Sequence, residues 1–130
     1  MGLDMYIEKC NKFEDPNNEN VVKDEIAYWR KANQIRQWIV DHTDYPDDAD
    51  CEYHMLAKSD IEALLKDVKT VLEDHSKAEE LLPTQSGFFF GSTDYDEYYF
   101  SDLEDTVEQL ENILNDVDFE TEDIYYYEWW

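Results

Sequence analysis

Apolar and polar positions alternate at the start of the chain, where Leu3, Met5 and Ile7 are separated by Asp4 and Tyr6 within LDMYIEK. A period of two belongs to a strand with one buried face, so a short half-buried strand is expected here. Residues 11–21, which contain EDPNNEN, read as a surface loop. From 22 to 41 the spacing of Ile26, Trp29, Ala32, Ile35 and Ile39 predicts a helix, broken before Pro46 in DYPDDAD. CEYHMLA, residues 51–57, predicts a second strand.

Two further helices announce themselves by both a start signal and a stripe. Ser59 with Glu62 has the form of a capping box, followed by Ile61, Leu64, Leu65, Val68 and Leu72 on one face. Ser101 with Glu104 repeats the box, followed by Leu103, Val107, Leu110, Leu114 and Val117. The terminal DIYYYEWW has strand composition and is expected to close a small sheet with the regions of Phe88 and Tyr98. In GFFFGSTDYDEYYF, residues 87–91 predict a buried strand or turn anchoring that sheet. The whole predicts one α+β domain over residues 1–130, with about three helices packed on a small, mainly antiparallel sheet.

Charge changes this picture most. The 130 residues carry 34 acidic and 10 basic side chains, a formal net charge of −24, with 42% hydrophobic and 15% aromatic content. That apolar content supports a folded core, while the charge disfavours nucleic acid and anionic membranes as partners and favours a basic surface. All ten basic residues precede position 81; the following 50 residues hold 14 acids and no lysine or arginine. Glu104 and Glu108 stand one turn apart, and like pairs at that spacing cost only about 0.2 to 0.5 kcal/mol each, which a core stripe overrides.

A chain of this mass should expose on the order of 7,000 Å², or roughly 300 Å² per net charge, about a third of the density on duplex DNA. Evenly spread acids would therefore copy DNA poorly, and imitation requires a concentrated face. The candidate face comprises Asp94, Asp96, Glu97, Glu104, Glu108, Glu111, Asp118, Glu120, Glu122 and Asp123, with Tyr95, Tyr98 and Tyr99 adding ring contact area. Against it stands the plain alternative of a solubilising acidic surface.

A second candidate lies in YWRKANQIRQW, residues 28–38, where Trp29, Arg30, Lys31, Asn33 and Arg36 combine an indole with donors suited to phosphates or bases. The competing reading places the indoles in the core and lets the cations offset nearby acids. Asp48, Asp50 and Glu52 alternate as in a calcium loop, but Tyr53 and Ser59 occupy the positions that need glycine and glutamate. His42, His54, His75, Cys10 and Cys51 have no metal-site spacing, so no metal, cofactor or catalytic residue is assigned, and reduced thiols fit a soluble intracellular protein. No nucleophile motif or phosphate loop is present.

MGLDMYIEK, YWRKANQIRQW and, at 79 to 103, EELLPTQSGFFFGSTDYDEYYFSDL together resemble a family of small acidic proteins encoded by bacteriophages and prophages, through nearly the whole chain. That resemblance implies the cytoplasm of an infected or lysogenic bacterium. By analogy it implies an inhibitor of host defence nucleases of the anti-CRISPR or anti-restriction type. The expected partner is a host nucleic-acid-binding protein, for example a CRISPR effector nuclease such as Cas9, whose basic cleft the acidic face would occupy as a DNA mimic. Two alternatives remain open: a nucleotide-binding or signal-sequestering protein using the 29–36 segment, and a virion or assembly component.

Overall fold

A computed structural model describes residues 3–45, 53–84 and 94–129. The strands are β1 (Asp4–Asn11), β2 (Asp24–Arg30), β3 (His54–Leu56) and β4 (Glu122–Trp129). The helices are α1 (Asn33–His42), α2 (Lys58–Glu73), the short α3 (Ala78–Leu81) and α4 (Glu97–Asp116). The strands form one sheet in the order β2-β1-β4-β3, every pairing antiparallel. The domain is α+β.

Alternation in β1 sends Leu3, Met5 and Ile7 inward, and register carries the same face across the sheet. Met5 stands opposite Trp29 and Glu128, and Ile7 opposite Ala27 and Tyr126. These residues join Ile35, Trp38 and Ile39 of α1, Ile61, Leu64, Val68 and Val71 of α2, and Leu103, Leu110 and Ile113 of α4 in one core. At roughly 25 cal/mol per Å² of apolar surface, each such side chain contributes about 1.5 to 3 kcal/mol, so the shared core holds the layers together.

The helix expected over 22–41 is instead a strand, a turn and a shorter helix. In β2 Ala27 and Trp29 are buried while Tyr28 and Arg30 face out, a period of two hidden behind the three-residue spacing of Ile26, Trp29 and Ala32. The outcome was decided by the backbone of β1, which offers β2 a pairing edge. Lys31 breaks the run with φ 55°, donates its N–H to Leu3 O at 2.7 Å, and lets α1 start at Asn33.

Both helix starts lie upstream of the expected boxes. Asp60 Oδ2 accepts the Ala57 N–H at 2.8 Å, so α2 begins at Lys58 and Ser59 lies within its first turn. Asp96 Oδ1 accepts the N–H groups of Tyr98 and Tyr99, both at 3.1 Å, and α4 therefore begins at Glu97, with Ser101 in its second turn. Tyr98 is thereby helical and contributes nothing to a sheet. Phe88, the 87–91 segment and the 48–52 acids fall outside the described residues. No helix among the described residues is long and apolar enough to cross a membrane.

Candidate functional site

α4 sets out the acidic candidates by its own periodicity. Leu103, Thr106, Leu110 and Ile113 are buried, which turns Glu97, Glu104, Glu108 and Glu111 onto the opposite, exposed side. The four carboxylates span about 21 Å of helix. Their mean spacing of about 7 Å gives roughly half the linear charge of one DNA strand. The stripe is not wholly without a cation, because α2 packs beside α4 and brings Lys69 Nζ to 3.6 Å from Glu111. Both side chains are about half exposed, so this pair neutralises charge locally but adds little stability.

The rest of the expected acidic face disperses. Asp96 is committed to capping α4. Asp94 lies with it at the wall of a cleft that Arg30, Lys31 and Asn33 line from the other side. Asp118 forms the turn into β4, accepting the Glu120 N–H at 3.0 Å and donating its own to Glu122. Glu122 pairs with Lys9 at 3.1 Å and Asp123 with Lys12 at 3.6 Å, so β1 and the residue that follows it supply the cations that the local sequence lacks. The exposed surface of 7352 Å² divided by 24 net charges is about 306 Å² per charge, so only a locally denser region approaches a nucleic acid.

The tyrosines divide in the same way. Tyr99 is 4% exposed and donates to Leu82 O at 2.7 Å, a core role that removes it from any contact surface. Tyr95 is half-buried, and its hydroxyl accepts the Thr84 N–H. Tyr98 alone of the three projects, at 74% exposure.

The 29–36 segment separates into an inner and an outer set. Trp29 Nε1 donates to Thr106 Oγ1 at 2.8 Å inside the core. Arg36, 2% exposed, donates from Nε to both carboxylate oxygens of the fully buried Glu128 at 3.0 Å, and Tyr126 donates its hydroxyl to Glu128 Oε2 at 2.8 Å. Neither Trp29 nor Arg36 can reach an external ligand. Arg30, Lys31 and Asn33 instead line a cleft of about 210 Å³, facing Asp94, Asp96 and Tyr98 at the start of α4. Arg30 also pairs with Asp4 at 3.4 Å.

Two groups in this cleft escaped the sequence reading. Gln34 is 2% exposed and its Nε2 completes no hydrogen bond of good geometry among the described residues. Asp102, on the flank of α4, has its carboxyl pushed above the usual range by burial; the Gln34 amide opposes that shift from nearby, outside hydrogen-bond geometry, while Asp105 and Asp96 add to it. Their meeting depends on α1 and α4 being brought together, and no local spacing announces it.

The outer face of the sheet holds another feature legible only after pairing. Tyr28, Tyr6, Tyr127 and Tyr53 form a row of rings, with centroid separations of 5.2, 6.2 and 4.6 Å between successive members. Tyr28 donates to Asp4 at 2.6 Å and Tyr53 to Glu8 at 3.1 Å, so the row is pinned by carboxylates. The alternation in LDMYIEK was the available signal, since it sets Tyr6 opposite to the core face.

The histidines serve packing: His42 stacks on Trp38, His54 meets Tyr45 edge-on, and His75 stacks on Phe100. Among the described residues no group of three or more histidine, cysteine or acidic side chains is placed to hold a metal. No family model, curated protein or solved structure matches the chain.

Proposed function

We propose that the protein is a phage-encoded inhibitor that lays the outer side of α4 into the basic nucleic-acid-binding cleft of a host defence nuclease of the anti-CRISPR or anti-restriction target class, such as Cas9. The observation that supports this reading is the exposed line of Glu97, Glu104, Glu108 and Glu111 on a helix held rigidly by its buried face. A fixed helix presents charge without the entropic cost of ordering a loop on binding. The net charge of −24 would speed encounter with a basic cleft, and exposed Tyr98, near the head of the stripe, supplies short-range contact area. Asp118, Glu120, Glu122 and Asp123 contribute to the long-range field more than to direct contact, two of them being paired with lysines.

The test is competition between this protein and target DNA for a panel of purified host nucleases, with cleavage and DNA binding both read. Inhibition that weakens with added salt, and weakens again in the triple variant E97Q/E104Q/E108Q, is the expected result. Unchanged DNA binding and cleavage at saturating protein across the panel would eliminate the proposal.

A further inference from the structure

The cleft between α1 and the beginning of α4 collects several features that are costly to maintain without a ligand. Gln34 buries an amide whose Nε2 completes no hydrogen bond of good geometry among the described residues although the Asp102 carboxyl stands near it, and a donor so placed carries part of its desolvation penalty until something accepts from it fully. Asp102, beside it, is a half-buried carboxylate with other carboxylates near and, among the described residues, no arginine or lysine paired to it. Lys31 at the rim holds a left-handed backbone that a residue with a β-carbon adopts at a cost, and its exposed ammonium forms no ion pair among the described residues. Tyr98 leaves a ring largely in solvent beside the same opening.

Donor and acceptor stand side by side in this cleft, and that pairing selects an edge. A carboxylate has two oxygens, and its burial is best offset by two adjacent N–H donors. Gln34 requires an acceptor next to them. Guanine presents that order, with the O6 acceptor followed by N1–H and the exocyclic N2–H2, whereas adenine and cytosine offer Asp102 only one donor group beside a ring acceptor. The cleft, at about 210 Å³, is below the roughly 300 to 1,000 Å³ of drug-sized sites and suits one ring system with any phosphate left outside. Arg30 and Lys31 stand at the cleft wall to meet that phosphate, and the face of Tyr98 is available for stacking.

We propose that this cleft binds a guanine nucleotide, with Gln34 donating to O6, Asp102 accepting from N1–H and N2–H2, Tyr98 stacking on the base and Lys31 with Arg30 reaching the phosphate. The site shares Tyr98 with the proposed nuclease contact but does not use Glu104 or Glu108, so variants at those two residues separate the two readings.

Titration calorimetry of the full chain with guanosine monophosphate, guanosine, adenosine monophosphate and inorganic phosphate tests the assignment. Saturable one-to-one binding of guanosine monophosphate is expected, with adenosine monophosphate weaker by about tenfold or more. Asp102→Asn should weaken both guanine ligands, and Lys31→Ala, an exposed change, should weaken the nucleotide while sparing guanosine. E104Q/E108Q should bind as the unaltered protein does. The proposal is overturned by lack of saturable heat with guanosine monophosphate and guanosine at millimolar concentration, by equal affinity for the adenine nucleotide, or by full competition from phosphate alone. An Asp102→Asn variant that is folded by circular dichroism and binds undiminished would overturn it too.

Discussion

Replacing Glu128 by glutamine keeps the shape of the buried network and removes its negative charge. Arg36 Nε then faces an amide instead of a carboxylate, its guanidinium remaining charged and 2% exposed. Breaking a buried pair by removing one partner costs about 3 to 5 kcal/mol, because the surviving charge stays out of water and loses the carboxylate at its Nε. Tyr126 adds to the loss, since its hydroxyl donates to Glu128 Oε2 and a hydrogen bond to a charged group is stronger than one to a neutral group. With an unfolding entropy near 2.1 cal/mol/K per residue, a chain of this length should lose about 11 to 18 °C in Tm. Urea denaturation followed by tyrosine and tryptophan fluorescence gives the free energy, and calorimetry gives Tm. The triple variant R36M/Y126F/E128L should recover most of the loss, because it removes the charge pair together with the buried Tyr126 hydroxyl that would otherwise lose its acceptor. An E128Q variant within about 1 kcal/mol of the unaltered protein would refute the reasoning, since the charge pair would then not be what ties β4 to α1.

Two pH effects follow from burial. The Asp102 carboxyl is raised in the folded state by burial, with Asp105 and Asp96 adding to the shift against the opposing Gln34 amide, so between its unfolded and folded pKa values the folded chain holds the extra proton. Its stabilising contribution is complete below about pH 3.9 and is lost as pH rises through the folded value, so D102N should be more stable than the unaltered protein at pH 7 and lose that advantage toward pH 3. Denaturant midpoints across that range check this; a destabilised D102N at pH 7 would contradict it. Tyr53, Tyr99 and Tyr126 have phenols raised by burial, with Glu8 adding to the first and Glu128 to the last. Above about pH 10 the unfolded chain releases protons that these phenols retain, so stability falls as pH rises, and ultraviolet titration should show a tyrosine fraction ionising only as the fold opens. Ionisation of all tyrosines near pH 10 without loss of secondary structure would refute their placement.

The sites differ in how far they could be read before folding. The outward side of α4 was legible, because a helix with Leu103 and Leu110 inside must place Glu104 and Glu108 outside. Its partial neutralisation was not, since Lys69 comes from a different helix. The starts of α2 and α4 lie two and five residues upstream of the expected ones because Asp60 and Asp96, not the serines, meet the free N–H groups. Trp29 and Arg36 looked like ligand contacts in isolation, and only the packing of α1 on the sheet turned them inward.

Local periodicity determined that the chain would contain an amphipathic strand at its start, two amphipathic helices and an aromatic last strand, since these depend on residues within one or two turns of one another. The sequence determined as well that α4 would carry no lysine or arginine of its own, whereas Lys9, Lys12 and Lys69 reach the acids of that half only in the fold. Whether residues 24–30 would be helix or strand was decided by the edge of β1, because a backbone with two acceptable local forms takes the one whose hydrogen bonds a neighbour completes. The same holds for chemistry. Arg36 and Glu128 are 92 residues apart, and the low-dielectric interior that makes one indispensable to the other exists only once α1, β1 and β4 have closed around them.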